Sequence, residues 1–71
     1  MRDPLLTDLG NRMKKERASR SMNQDEMSEL CGVDRTYLSD IERGRRNITI
    51  LTLKKIASGL KLPLHALLCD F

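Results

Sequence analysis

Between Asn23 and Gly44 the chain reads NQDEMSELCGVDRTYLSDIERG, two segments of helical period separated only by the dipeptide Gly-Val. A connection that short, with a glycine in it, makes the two helices cross steeply, so their apolar stripes must meet in one core. Each segment carries its own start and stop signals. Asn23 and Glu26 have the spacing of a capping box, and Asp25 and Glu26 suit the positive end of the helix dipole. Gly32 supplies the left-handed residue that closes the first segment. Asp34 caps the second, which the pattern places at about Arg35 to Arg43, stopping at Gly44.

The rest of the chain also repeats with helical spacing, and nothing alternates long enough to be a strand. A first helix is predicted from about Asp8 to Ala18, capped by Thr7 or Asp8, with Leu6, Leu9 and Met13 as its apolar line. Arg17 continues that line one turn later. A fourth helix begins after the cap Thr49 and places Leu53, Ile56, Ala57 and Leu60 on one face. Pro63 opens a short fifth helix through about Cys69. The expectation is an all-α, five-helix domain spanning residues 1–71, with a helix-turn-helix at about 24–43.

At 71 residues a core supplies only roughly 3–5 kcal/mol, so such domains lean on a staple, a metal or a partner. The two cysteines, Cys31 and Cys69, allow one bridge at most. MRDPLLTDLG carries charges where a secretory leader needs an apolar run, and no apolar run approaches the ~20 residues that span a bilayer. A cytoplasmic protein with free thiols is expected, stapled by a second copy. The region of about 50–71 offers the surface: Leu51, Leu62, Leu64, Leu67, Leu68 and Phe71 exceed what one small core requires.

On a wheel at about 100° per residue, Tyr37, Leu38 and Ile41 group on one side of the third helix. Arg35, Thr36, Ser39 and Arg43 group on the other. An exposed face that is short, polar and rich in donors, on a helix anchored by aliphatics, has the form of a rod for the major groove, about 12 Å wide. Net charge is +3, with five basic residues between Arg12 and Arg20 and the run Arg43-Gly-Arg45-Arg46. Aromatics are 3% of the chain, only Tyr37 and Phe71, which argues against a stacking platform for single strands and leaves duplex DNA.

Arg35 stands where such helices reach base edges and can fork onto guanine O6 and N7. Thr36 and Ser39 are short donors beside it. Tyr37, on the border of the buried face, is expected on a phosphate or in plain packing. Asp40, at the edge of the reading face, repels phosphate unless it accepts from a cytosine amino group or pairs with an arginine. Arg17 extends an apolar line and is costly there without a partner, for which Glu42 is the candidate.

With these residues in place, LGNRMKKERASRSMNQDEMSELCGVDRTYLSDIERGRRNITILTLKKIASGLKLPLHALL resembles the lambda-repressor-like, xenobiotic-response-element family of bacterial and phage regulators. DRTYLSDIERGRRNIT is particularly similar to the controller proteins of restriction–modification systems. Ser21, Ser28 and Cys31 depart from the family's usual Gly, Ala and Leu. The resemblance implies that Gln24 bonds a phosphate and braces the recognition helix. It suggests that Arg46 contacts DNA, at a base beside those of Arg35, Thr36 and Ser39. Arg43 and Asn47 follow the recognition helix and are expected to flank the groove, on phosphates with Asn23 and Tyr37. The resemblance pairs Arg17 with Glu42, and it implies a homodimer on a pseudo-palindromic operator. For a controller it further implies activation of its own and an endonuclease gene, then repression by two dimers on adjacent sites.

A prophage repressor, an antitoxin or an interaction module that has lost DNA binding would share much of this pattern. The sequence holds no nucleophile–base pair and no phosphate loop, so an enzyme is not expected. His65 and Cys69 have the spacing of half a metal site, which occurs by accident far more often than by design; no metal and no cofactor are assigned.

Overall fold

The computed structural model describes residues 3–68, and they are all-helical: α1 (Pro4–Ser19), α2 (Gln24–Cys31), α3 (Arg35–Glu42) and α4 (Ile50–Gly59), followed by a 3₁₀ helix (Leu64–Leu68). Two expectations are corrected. The first helix starts four residues earlier than predicted, because Asp3 accepts a hydrogen bond from the Leu5 amide at 2.8 Å and Pro4 sits at the first helical position. Thr7 and Asp8 are therefore inside the helix. The fifth helix is a five-residue 3₁₀ segment, so the count is four α-helices and a 3₁₀ turn. The expected end of that helix at Cys69 lies outside the described residues.

The caps of the central pair have the expected chemistry. Asn23 Oδ1 accepts from the Glu26 amide at 2.8 Å while Glu26 Oε1 accepts from the Asn23 amide at 2.9 Å. Gly32 closes α2 at φ 67°, ψ 35°. Asp34 accepts from the amides of Thr36 and Tyr37, and Thr49 from that of Thr52. Ser21, where the family favours Gly, takes the same left-handed region at φ 55° after α1.

Met13, Met27, Leu38, Ile56 and Leu67 are the largest fully buried side chains, one from each element. Burying each is worth roughly 1.5–3 kcal/mol. Two glycines let backbones touch. A Cβ on Gly10 of α1 would lie 2.7 Å from the Glu42 carbonyl oxygen, so α1 rests directly on the end of α3. One on Gly59 of α4 would lie 2.6 Å from Cys31 Sγ, so α4 rests on the end of α2. The helix-turn-helix is thus held by close approach at the carboxyl ends of both its helices, beside the turn and at the end of α3. Cys31 is buried, its thiol donates to the Ile56 carbonyl at 3.7 Å, and burial pushes its pKa up.

Candidate nucleic-acid interface

α3 turns Leu38 and Ile41 into the core, 0% and 2% exposed, and leaves Arg35 and Thr36 exposed with Ser39 half-buried beside them. Alternation at 3.6 residues per turn on an eight-residue helix is enough to make this division. At 1.5 Å per residue, α3 is roughly 12 Å long. Gln24, Arg35, Thr36, Ser39, Asp40 and Arg43 line one open groove of about 240 Å³. Five of those six are residues the sequence assigns to DNA; Asp40 is the sixth.

A buried network fixes α3 against its neighbours. Arg17 Nε donates to Glu42 Oε2 at 2.9 Å and Arg17 Nη2 to Glu42 Oε1 at 3.0 Å, a bidentate pair. Arg17 Nη1 donates to the Met22 carbonyl at 3.0 Å. Gln24 Nε2 donates to Glu42 Oε1 at 3.3 Å. Glu42 is 2% exposed, so its carboxylate is the one acidic group inside the core among the described residues, and three donors compensate it. Gln24, at the amino terminus of α2, is tied to the same carboxylate that anchors the end of α3.

The segment after α3 is docked rather than loose. Gly44, at φ 69°, packs on Thr7 of α1, and the Arg45 amide donates to the Asp40 carbonyl at 2.9 Å. The Tyr37 hydroxyl donates to the Asn47 carbonyl at 3.4 Å. The Arg46 guanidinium lies 4.9 Å from the centroid of the Tyr37 ring, and its Nη2 is 3.4 Å from Asp40 Oδ2. Arg46 therefore stands beside the groove, joined to it through Asp40. Arg35 Nε is 2.9 Å from Asp25 Oδ1 in an exposed pair. Asn23 lies at the start of α2 with its Oδ1 engaged as a cap. Of the two acids facing these arginines, Asp40 takes one of the alternatives left open for it, pairing with an arginine, whereas Asp25 was missed as the partner of Arg35 because it lies on a different helix, where a wheel reveals nothing.

The apolar tail divides. Leu67 is fully buried, so its expected place on a dimer surface is corrected: it closes the core of its own chain. Leu62 and Leu64 are half-buried against that core, while Leu51 and Leu68 are 72% and 44% exposed. Phe71 lies outside the described residues, as does Cys69 of the possible metal half-site. Leu30 and Ile50, not singled out in the sequence, are exposed as well, and Leu30 shares an open groove with Leu51 beside Lys54 and Lys55. No helix among the described residues is long and apolar enough to cross a membrane.

A family model described as helix-turn-helix matches residues 13–67. The control protein C.MunI of a Mycoplasma species is 39% identical over 62 residues, 86% of this chain and 84% of that protein. The ImmF control region 10 kDa protein of Bacillus phage phi105 is 42% identical over 59 residues, 83% of this chain and 66% of that protein. Among solved structures, the restriction–modification controller C.Esp1396I, crystallised as a tetramer with its natural 35 base-pair operator, superimposes with a TM-score of 0.85. It is 35% identical, and the match covers 93% of this chain and 87% of that one.

Proposed function

The chain belongs to the helix-turn-helix family of transcription regulators, and on that premise we propose that it is the controller of a restriction–modification system. It reads duplex DNA through α3. The observation that carries this reading is the groove in which Gln24, Arg35, Thr36, Ser39 and Arg43 converge on a helix whose back is locked by Leu38, Ile41 and Glu42. A rigid backbone matters here because a base-edge contact discriminates only when its donors are already aimed.

In the complex, Arg35 takes the O6 and N7 of a guanine, Thr36 and Ser39 reach neighbouring bases, and Arg46 adds a contact from the docked segment. Asn23, Gln24, Tyr37, Arg43 and Asn47 hold the flanking phosphates and set the register. Gln24 does so from a helix amino terminus, where an anion is favoured. Leu51 and Leu68, with Leu30 added, supply the surface covered by a second copy; Leu30 and Leu51 line one open groove, and pairing would bury it. Two-fold pairing places the recognition helices one turn of DNA apart, about 34–36 Å, so the operator is pseudo-palindromic. Two dimers on adjacent sites turn activation of its own and the endonuclease gene into repression. A second phage phi105 relative, named an immunity repressor protein and 36% identical over 59 residues, supports a second reading, a prophage repressor with the same DNA contacts. A methyltransferase and an endonuclease gene alongside would decide for the controller.

The test is selection of bound duplexes from a random pool. A two-fold symmetric consensus is expected, and binding indifferent to sequence would end the proposal. Within that consensus, Arg35→Ala should lose ~1–3 kcal/mol of discrimination at one base pair per half-site, while Gln24→Ala weakens all duplexes alike.

A further inference from the structure

An acid on a surface that must approach a polyanion is a cost, and Asp40 stands inside the reading groove. We propose that Asp40 is a specificity-determining residue: it serves as an internal counter-anion for Arg46 and yields the guanidinium to a base edge but not to a phosphate. The inference rests on the DNA-binding reading above and says how that site rejects wrong sequences.

The geometry is that of a prepared clamp. Arg46 is held from two sides, by the Tyr37 ring 4.9 Å below its Cζ and by Asp40 Oδ2 at 3.4 Å from its Nη2. The main chain that carries both partners does not move with the arginine. Tyr37 and Asp40 are on α3, whose far side is buried, and the Arg45 amide bonds the Asp40 carbonyl at 2.9 Å. Asp40 is the less exposed partner, its side chain 27% exposed against 52% for Arg46. A carboxylate that stays put while the arginine swings leaves its negative charge at the point of exchange.

That charge treats two acceptors differently. A phosphate brings a full negative charge beside the carboxylate, and the repulsion cancels much of the gain from the guanidinium. A guanine edge offers O6 and N7, which carry only partial charge, so it is tolerated there. A bidentate guanine contact multiplies affinity by roughly 5- to 150-fold, whereas an exposed ion pair of this kind is worth only about 1.4- to 5-fold. The exchange is therefore favourable at the right base and unfavourable along the general backbone. On random duplex, Arg46 stays on Asp40 and neutralises no phosphate.

The experiment uses the purified full chain with two duplexes of equal length, the selected operator and a scrambled sequence, titrated at several salt concentrations. For Asp40→Asn, affinity for the scrambled duplex should rise about five-fold or more. Its salt dependence should steepen by close to one released ion per chain, a slope of ~0.9. Operator affinity should rise only by what the lost ion pair was worth, about 1.4- to 5-fold, and by less than the scrambled duplex gains, so the ratio of the two falls. In an Arg46→Ala background, Asp40→Asn should change nothing, because the group it restrains is gone. Glu29→Gln, an exposed acid of α2 outside the groove, measures the effect of one lost charge alone.

The proposal is overturned if Asp40→Asn shifts both duplexes equally, matches Glu29→Gln, or keeps its effect without Arg46. It is also overturned if the substitution weakens operator binding alone, since Asp40 would then be accepting from a base. A wild-type chain that binds both duplexes equally overturns the DNA-reading proposal itself, a result separate from all of these.

Discussion

Glu42→Leu is the substitution whose consequence the structure fixes most tightly. It removes a carboxylate that is 2% exposed and leaves the Arg17 guanidinium facing a core with only the Met22 carbonyl as partner. Breaking one side of a buried pair costs ~3–5 kcal/mol, because the remaining charge is left largely desolvated with one carbonyl in place of the lost carboxylate. A 71-residue domain has roughly 4–11 kcal/mol of stability in total, so this one change removes at least about a quarter of it. Urea unfolding followed by far-ultraviolet circular dichroism should show a lower midpoint at unchanged slope, and the melting temperature should fall by well over ~10 °C. The companion variant Arg17→Met/Glu42→Leu carries the argument. Two apolar side chains of similar reach replace both charges, and stability should return to near the starting value or above it. The double variant also frees Gln24, which is only half-buried and turns to solvent. If the single substitution costs no more than the ~0–1 kcal/mol of a surface pair, the network is not the brace described here. If the double variant is as unstable as the single, the cost is loss of packing rather than stranded charge.

Gly10→Ala should lower the melting temperature despite alanine's advantage of up to ~1 kcal/mol inside a helix. The new methyl group would press on the Glu42 carbonyl carbon at 2.9 Å, main-chain atoms that cannot swing aside, and overpacking of that kind costs ~1–3 kcal/mol. A melting curve unchanged or shifted upward would remove that argument. For Cys31, burial raises the pKa, so the neutral thiol is the form the fold favours. Its contribution to stability is complete below the ordinary thiol value and is lost as pH climbs from there through the raised value. Unfolding free energy against pH should accordingly decline more in the wild type than in Cys31→Ala over the alkaline range, and parallel curves would contradict the assignment.

The central pair of helices was legible because every local signal agreed. Asn23, Glu26, Gly32 and Asp34 each have one good place to be, and the Gly-Val link leaves few geometries. The Arg17–Glu42 pair was legible for the opposite reason: a charge on an apolar line is a local conflict that demands a partner. Other features were lost to specific causes. Pro4 was readable as a first-turn proline after Asp3, but Thr7 and Asp8 are equally good cap residues one turn later, and local chemistry does not choose between them. A five-residue segment is too short for periodicity to separate 3₁₀ from α. That distinction decides the tail, since three residues per turn put Leu64 and Leu67 on the inward side and turn Leu68 outward, where a 3.6-residue turn groups all three. The Asp40–Arg46 contact crosses a bend whose path only the tertiary structure determines.

Residues 35, 36 and 39 of α3 and 46 after it carry none of the core, and residues 38, 41 and 42 carry none of the exposed face. Target preference and architecture are therefore separately heritable. A duplicated copy of this gene can exchange its outward letters for others and lose only exposed contacts such as Arg35–Asp25 and Arg46–Asp40, while the core stays whole. Two such regulators can drift into mutual indifference within one cell while remaining superimposable atom for atom along their backbones.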